Sequence, residues 1–255
     1  MDIVLIGSGN VAAVLGRKFV AAGHNILQVL SRNATSASEL AYEWNTESAN
    51  YTSLINKEAD VYIIAVADRA IEEVVADISL PGKVVAHTAA AVDMSVLKKV
   101  TANYGVFYPL QSLRKDQEEM PETPIYTEAA NEEAKKVLDQ LAQSIYKNAV
   151  FEADYDKRTK LHVAAVFVNN FTNHIFTLAE KYCQQEGIDF SELLPLINNT
   201  FFRLHKASPG SLQTGPAARA DMETIHKHRE MLGKHPQILE WYDLFTERIL
   251  KSPLS

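Results

Sequence analysis

The sequence predicts an α/β chain, a doubly wound sheet in residues 1–153 followed by an all-α half in 154–255. Three observations carry this expectation. Short apolar runs alternate with stretches of helical spacing as far as Phe151, and a pair of glycines directly follows the first run. After Asp154 the alternation gives way to helical patterns alone.

Asp2 to Ile6 is the first strand, Gly7-Ser8-Gly9 the turn, and Val11 to Ala22 a helix in which Val11, Leu15, Phe19 and Val20 recur on one face. Gly23 suits a helix C-terminus, and Asn25 to Leu30 completes a βαβ unit of roughly 30 residues. Ser36 to Trp44 has helical spacing, and Asn50 to Thr52 is read as a short strand. The run Asp60 to Val66 is apolar enough for a central strand covered on both faces. Asp68 is then expected to cap a helix of about a dozen residues that buries Ile71, Val74, Val75 and Ile78. Pro81-Gly82 turns the chain into a fifth strand, Lys83 to His87. Val92 to Val100 reads as a helix and Tyr104 to Tyr108 as a sixth strand, ended by Pro109. Gln111 to Pro124 is polar and reads as a surface loop. Ile125 to Thr127, a helix from Asn131 to Tyr146 and a strand from Ala149 to Phe151 complete the alternation.

In the second half, Lys157 to Gln185 is long for a globular helix and apolar through its middle, so it is expected to be the buried axis of the helical domain. Gly187 ends it. Phe190 to Leu204 follows, then a loop with Pro209, Gly210 and Gly215, a helix from Pro216 to Leu232, and a last helix from Pro236 to Ile249.

A chain of 255 residues allows one large or two modest domains, and 47% hydrophobic with 22% charged residues is ordinary for a globular protein. The formal charge of −7 argues against nucleic acid or an anionic membrane as the main partner and for a small-molecule substrate. Cys183 is alone, so no internal disulfide forms. The first strand leaves no room for a signal peptide, and a cytoplasmic location is expected. No apolar run, Val163 to Val168 included, reaches the roughly 18 residues of a membrane span. His226, His228 and His235 match no zinc spacing and read as a solvated helix face, so no metal is expected. Neither a Gly-x-Ser-x-Gly elbow nor a Walker loop is present.

The glycine turn is the strongest chemical signal. In Gly7-Ser8-Gly9-Asn10-Val11-Ala12 the first glycine permits the turn, the second lets the backbone approach a pyrophosphate, and Ala12 replaces the third glycine where helix and strand pack. The helix N-terminus then offers N–H donors and a positive dipole end to the phosphates. After the second strand an NAD site usually carries a carboxylate for the ribose, but this chain has Ser31-Arg32-Asn33. Arg32 can stack on adenine or pair with a 2′-phosphate, and Ser31, Asn33 and Thr35 can donate to it, which favours NADP; a solvated loop arginine fits the same position. Small residues at Ala65, Ala67, Thr88 and Ala89, with Val66 between the first two, would leave room for ribose and nicotinamide or simply pack well.

At about 100° per residue, His162, Asn169, Asn173 and Glu180 fall close to one line down the long helix. On a buried helix such groups need partners. Facing a nicotinamide, His162 could donate the proton that hydride transfer to C=O or C=N requires, with Asn169 and Asn173 orienting the substrate; a satisfied polar seam or subunit contact fits the same residues. In Thr214-Gly215-Pro216-Ala217-Ala218-Arg219-Ala220-Asp221, Pro216 suits a first helical turn capped by Thr214. Arg219 could hold a carboxylate, while Asp221 reads as an ordinary first-turn acid.

Taken together, the glycine motif, Ala65-Val66-Ala67-Asp68, His87-Thr88, Tyr108-Pro109-Leu110, His162-x-Ala164-Ala165 with Asn169, and Thr214-Gly215-Pro216 with Arg219 and Asp221 resemble an uncharacterised bacterial family of NADP oxidoreductases. Such proteins look like relatives of pyrroline-5-carboxylate reductase, deazaflavin-dependent NADP reductase, ketopantoate reductase and the 6-phosphogluconate and β-hydroxyacid dehydrogenases. The resemblance spans the chain and implies an NADP-binding Rossmann domain, a 6-phosphogluconate-dehydrogenase-like helical domain and a homodimer. The lysine that β-hydroxyacid dehydrogenases carry four residues before an asparagine of this helix is missing, since Ala165 and Val166 stand there. Tyr108 stands where many members have His, and is a candidate substrate-binding group or acid.

The first functional expectation is an NADPH-dependent reductase of a small oxo or imino acid, with His162 as proton donor and Arg219 as carboxylate partner. A non-catalytic NADP-binding sensor is the alternative. Exchange with a flavin-like cofactor is the third reading.

Overall fold

The computed structural model describes residues 1–117, 121–148 and 150–251. The chain divides into two compact units, Met1–Asn169 and Asn170–Ser255.

The first unit is built on an eight-stranded sheet. Its strands are β1 (Asp2–Ile6), β2 (Asn25–Leu30), β3 (Glu47–Ala49), β4 (Val61–Ile64), β5 (Val84–His87), β6 (Asn103–Pro109), β7 (Ile125–Ala129) and β8 (Phe151–Glu152), in the order β3-β2-β1-β4-β5-β6-β7-β8. The pairs from β3 to β6 are parallel, β7 runs antiparallel to β6, and β8 is parallel to β7. The sheet is therefore mixed at one edge. The chain leaves β1 towards one side and returns through β4 on the other, so the carboxyl ends of β1 and β4 flank the topological switch point where such sheets bind ligands.

Alternation along β1 explains why the sheet needs cover on both faces. Ile3 and Leu5 enter one core with Ala13, Leu15 and Phe19 of α1 (Asn10–Ala21), and Val4 and Ile6 enter the other with Ile71 and Val75 of α3 (Ile71–Ala76). The first core also takes α2 (Ala34–Glu43), through Leu40 and Ala41, and α4 (Glu132–Ile145), through Leu138 and Leu141.

Several local expectations are corrected. The third strand is Glu47–Ala49 rather than Asn50 to Thr52, and Thr52–Leu54 forms a 3-10 turn. Pairing to Gln28–Leu30 overrides the poor strand propensity of Glu47 and Ser48. Asp68 does not cap a long helix. Ala67 precedes a 3-10 turn, Asp68–Ala70, and only six helical residues follow, because β-branched Val74 and Val75 support a helix weakly. Val92 to Val100 likewise shrinks to one turn, Met94–Leu97, capped by Asp93. Pro109 ends within β6 rather than beyond it. Part of the Gln111 to Pro124 loop, residues 118–120, and Ala149 of the last expected strand lie outside the described residues.

The long helix is three segments. α5 (Tyr155–Ala165) passes into a π-helical stretch, Val166–Phe171, and then into α6 (Thr172–Glu186), which ends at Gly187 with φ +71°. The 100° progression along the expected polar line is thus interrupted between His162 and Asn173. Nor is the helix a buried axis: Val163, Val168 and Ile175 are 54%, 71% and 41% exposed. A helix apolar on all sides needs neighbours all round, and one chain supplies them only in part. His162, Asn169, Asn173 and Glu180 are exposed as well, so burial does not force partners on them.

The second unit continues with α7 (Leu194–Arg203), α8 (Met222–Leu232) and α9 (Pro236–Lys251). Pro216 does not open α8. Ala217–Arg219 is a separate 3-10 turn, Ala220 has φ +53°, and Asp221 is the N-cap, accepting from the Thr224 N–H at 3.1 Å and from its hydroxyl at 2.8 Å. His235 is buried and 2.6 Å from Glu186, and half-buried His228 lies 3.0 Å from the Tyr242 hydroxyl, so these two have partners within the protein rather than a fully solvated face.

Candidate active site

The turn after β1 shows two glycines with different reasons to be glycine. Gly7 has φ +126°, and a Cβ there would lie 2.2 Å from the Ala65 carbonyl oxygen. No side chain fits. Its N–H donates to the Leu30 carbonyl at 2.8 Å, which ties the turn to β2. Gly9 has an ordinary φ of −82° as the N-cap of α1, and a Cβ there would meet nothing within 4 Å. The protein's own packing therefore does not require this glycine, whereas a ligand lying on the turn would. The first turn of α1 carries no acid, and its leading N–H groups have no acceptor within the helix. This is a cradle for a negatively charged group.

A cavity of about 370 Å³ opens from the cradle. Gly7, Ser8 and Gly9 form one wall, Ser31, Arg32 and Asn33 a second, and Ala65, Val66 and Ala67 a third. The Ser8 hydroxyl donates to the Ser31 hydroxyl at 2.8 Å, and the side-chain Oδ1 of Asn33 caps α2 by accepting from the Ser36 N–H. Ile6 and Leu30 lie at the base of these walls in sequence, and Asn50, Thr52, Ala70 and Val74 also line the cavity. The sequence reading missed these last four because Asn50 and Thr52 were read as strand, Val74 as the buried face of a helix and Ala70 only as part of that helix.

Three of the residues expected at the cofactor have other duties. Asn10 accepts from the Lys115 N–H at 3.1 Å, and Arg17 donates to the Lys115 carbonyl at 2.6 Å, so α1 anchors the loop after β6. Val11 packs against the core. Thr88 is buried, with its N–H donating to the Ile64 carbonyl at 3.1 Å, and it is not part of the cavity wall.

At the same carboxyl edge, three strand spacings or about 14 Å from β1, β6 presents Tyr108. Its hydroxyl lies 3.2 Å from His162 Nδ1 on α5, with the rings edge to face at 6.4 Å. Tyr108 is buried and its pKa is raised, chiefly by that burial, while the His162 residue is exposed. The fold brings together two expected site residues that are 54 positions apart in sequence.

Arg158, one helical turn before His162, holds this corner. It is fully buried; its Nε donates to the Ala90 carbonyl at 3.0 Å, its Nη2 to the Val92 carbonyl at 2.8 Å, and its Nη1 pairs with the Glu128 carboxylate of β7. Residues four apart share a helix face, so fixing Arg158 fixes the face that carries His162. The sequence reading missed Arg158, whose partners come from the loop after β5 and from β7. Its charge also acts on buried His87, whose pKa is pushed down to about 4, first by burial and then by Arg158. His87 Nδ1 accepts from the Ala89 N–H at 3.2 Å, and among the described residues its buried Nε2 is the side-chain atom left without a partner.

The other expected residues belong to the second unit or to its border. Asn169 lies in the π-helical turn. Asn173 and Glu180 line a cavity of about 300 Å³ with Phe190 and Leu194. Arg219 is exposed on its 3-10 turn. Among the described residues no group of three or more His, Cys, Asp or Glu could hold a metal, and no helix is long and apolar enough to cross a membrane.

A dinucleotide-binding sheet, a phosphate cradle at its switch point and an all-helical second unit define a two-part nucleotide-dependent oxidoreductase fold. Comparison with known proteins gives the particular family. Residues 2–91 match the family model described as NADP oxidoreductase coenzyme F420-dependent, and residues 123–249 match a domain of unknown function, DUF2520. A "putative NADP oxidoreductase" from Bacteroides fragilis is 36% identical over 98% of each chain, with a TM-score of 0.90. Among more distant structures, a reductive aminase from Aspergillus terreus in complex with NADPH superposes with a TM-score of 0.72 at 14% identity, over 98% of this chain and 93% of that one. A 1-pyrroline-5-carboxylate reductase from Streptococcus pyogenes gives 0.64 at 15% identity over 99% of each chain. No protein of curated function matches. The chain belongs to the Rossmann-like NADP oxidoreductase family with a helical C-terminal domain, and it shares its fold with pyrroline-5-carboxylate reductase. It has the fold of the NADP(H)-dependent oxidoreductases.

Proposed function

We propose that the protein reduces a small oxo or imino acid, with NADPH held at the Gly7–Gly9 turn and Tyr108 and His162 handling the proton. The observation that carries this reading is the 3.2 Å contact between the Tyr108 hydroxyl and His162 Nδ1, at the same sheet edge as the cradle. When bound, NADPH supplies a hydride to the carbon of C=O or C=N. The oxygen or nitrogen then needs a proton, which His162 donates from Nε2 while Nδ1 is held by Tyr108. Water returns the proton to the ring. Gly9 gives the pyrophosphate its close approach, and Ser31, Arg32 and Asn33 surround the 2′-phosphate. Asn169, in a π-helical turn of the kind frequent at functional sites, and Asn173 orient the substrate, and Arg219 takes its carboxylate.

We further assign residues 154–255 to a 6-phosphogluconate-dehydrogenase-like substrate and dimerisation domain, with residues 1–153 as the cofactor domain, in a cytoplasmic protein. The apolar residues left exposed along the long helix, together with Leu196 and Phe202 of α7 at 64% and 58% exposure, are the surface a second copy would cover. Sedimentation of the purified chain is expected to give a dimer mass; a monomer at micromolar concentration would refute this assignment. The activity is tested by following NADPH consumption across a panel of 2-oxo acids, cyclic imines and oxo acid–amine mixtures. Substrate-dependent oxidation with at least one class is expected. Tight NADPH binding with no turnover on any class would instead make the protein a cofactor-binding sensor.

A further inference from the structure

Arg32 is engaged by the protein itself. Its Nη1 donates to both carboxylate oxygens of Glu73, at 2.8 and 2.9 Å, across the mouth of the nucleotide cavity. Glu73 sits on α3 beside Val74, and Val74 and Ala70 both line the cavity. The carboxylate usually found after the second strand of an NAD site is absent from this chain, yet a carboxylate from α3 pairs with the arginine that stands there. Both side chains are largely exposed, at 70% and 65%, so the pair is a weak one that a better ligand can open.

We propose that Glu73 is a specificity-determining counter-ion that competes with the 2′-phosphate for Arg32. In the free protein it neutralises the guanidinium and holds it at the cavity mouth. A 2′-phosphate, carrying more charge and more acceptor oxygens, displaces it and leaves Glu73 facing a like charge. A ribose with a free 2′-hydroxyl has no charge with which to displace the carboxylate. Glu73 therefore lowers affinity for the phosphorylated cofactor and keeps the exchange between bound and free states rapid, while Arg32 keeps the preference for it.

The proposal rests on the assignment of Arg32 to the 2′-phosphate, and the test separates the two. Adenosine 2′,5′-bisphosphate and 5′-AMP are titrated calorimetrically into the full-length wild-type protein, Glu73→Gln, Arg32→Ala and the double variant, at low salt. Glu73→Gln is expected to tighten the bisphosphate about two- to fivefold, the range of an exposed ion pair, and to leave 5′-AMP unchanged. Arg32→Ala is expected to weaken the bisphosphate and to abolish the gain from Glu73→Gln in the double variant. Added salt should shrink the gain. If Arg32→Ala weakens the bisphosphate while Glu73→Gln does nothing, the Arg32 assignment stands and the competition is refuted. Equal tightening of both ligands, or a gain that survives in the double variant, would mean a general charge effect and also overturn the proposal. Indifference of the bisphosphate to Arg32→Ala removes the assignment and the inference together.

Discussion

Replacing His162 by alanine is expected to lower kcat for the best substrate of the panel on the order of 10²- to 10⁴-fold, the usual contribution of a positioned acid, with the NADPH Kd unchanged. The reason is positional. Hydride addition leaves a pair of electrons on oxygen or nitrogen, and His162, held by Tyr108 at 3.2 Å, is the exposed ring at this corner placed to deliver a proton. Tyr108→Phe keeps the ring and its packing but removes the hydroxyl, so its effect should be smaller and should appear as an altered pH profile rather than as lost cofactor binding. Stopped-flow measurement of NADPH oxidation reads both. Full activity in His162→Ala would transfer the proton step to another group and leave Tyr108 with a structural role.

Replacing Arg158 by methionine is expected to destabilise the first unit by about 3–5 kcal/mol, the cost of stripping one partner from a buried ion pair. Arg158 is 0% exposed and Glu128 retains 16% side-chain exposure, so the orphaned carboxylate cannot fully hydrate. The Ala90 and Val92 carbonyls lose their donor as well. Lysine would not substitute, because a single ammonium cannot span three directions at once. Adding Glu128→Leu to Arg158→Met should recover part of the loss by removing the stranded charge. Chemical denaturation followed by tryptophan emission and circular dichroism reports the change. A loss below about 1 kcal/mol would show that the corner carrying His162 is held by other contacts.

How much of this was legible in the sequence depends on the range of the interaction. The β1 turn, α1 and β2 were read to within a residue because their signals are local: an apolar run, glycines at fixed offsets and a helical period. The short connections were misread wherever helical spacing was extended past its support, as at Asp68 and Val92, where β-branched residues leave only a turn or two. The long helix was assigned correctly as helix and wrongly as core, since apolar composition does not say which copy of the chain provides the cover. Tyr108 and His162 were each visible as candidates, but not as a pair. Arg158 and Glu73 left no local signal, because both act through partners contributed by distant elements. Asp221 was read as a first-turn acid and proves to be the cap itself, one position earlier in the helix.

The central claim is that a nucleotide lies on the turn between β1 and α1, and Gly9→Val tests it most directly. A side chain at this position enters open space, at a φ of −82° that valine also adopts, so folding should survive with little change in melting temperature. The same side chain would occupy the approach of the pyrophosphate. Calorimetric titration with NADPH is therefore expected to show affinity reduced at least about tenfold, or ~1.4 kcal/mol, in a variant that melts like the wild type. Wild-type affinity in that folded variant would contradict the account and place the cofactor elsewhere on the protein.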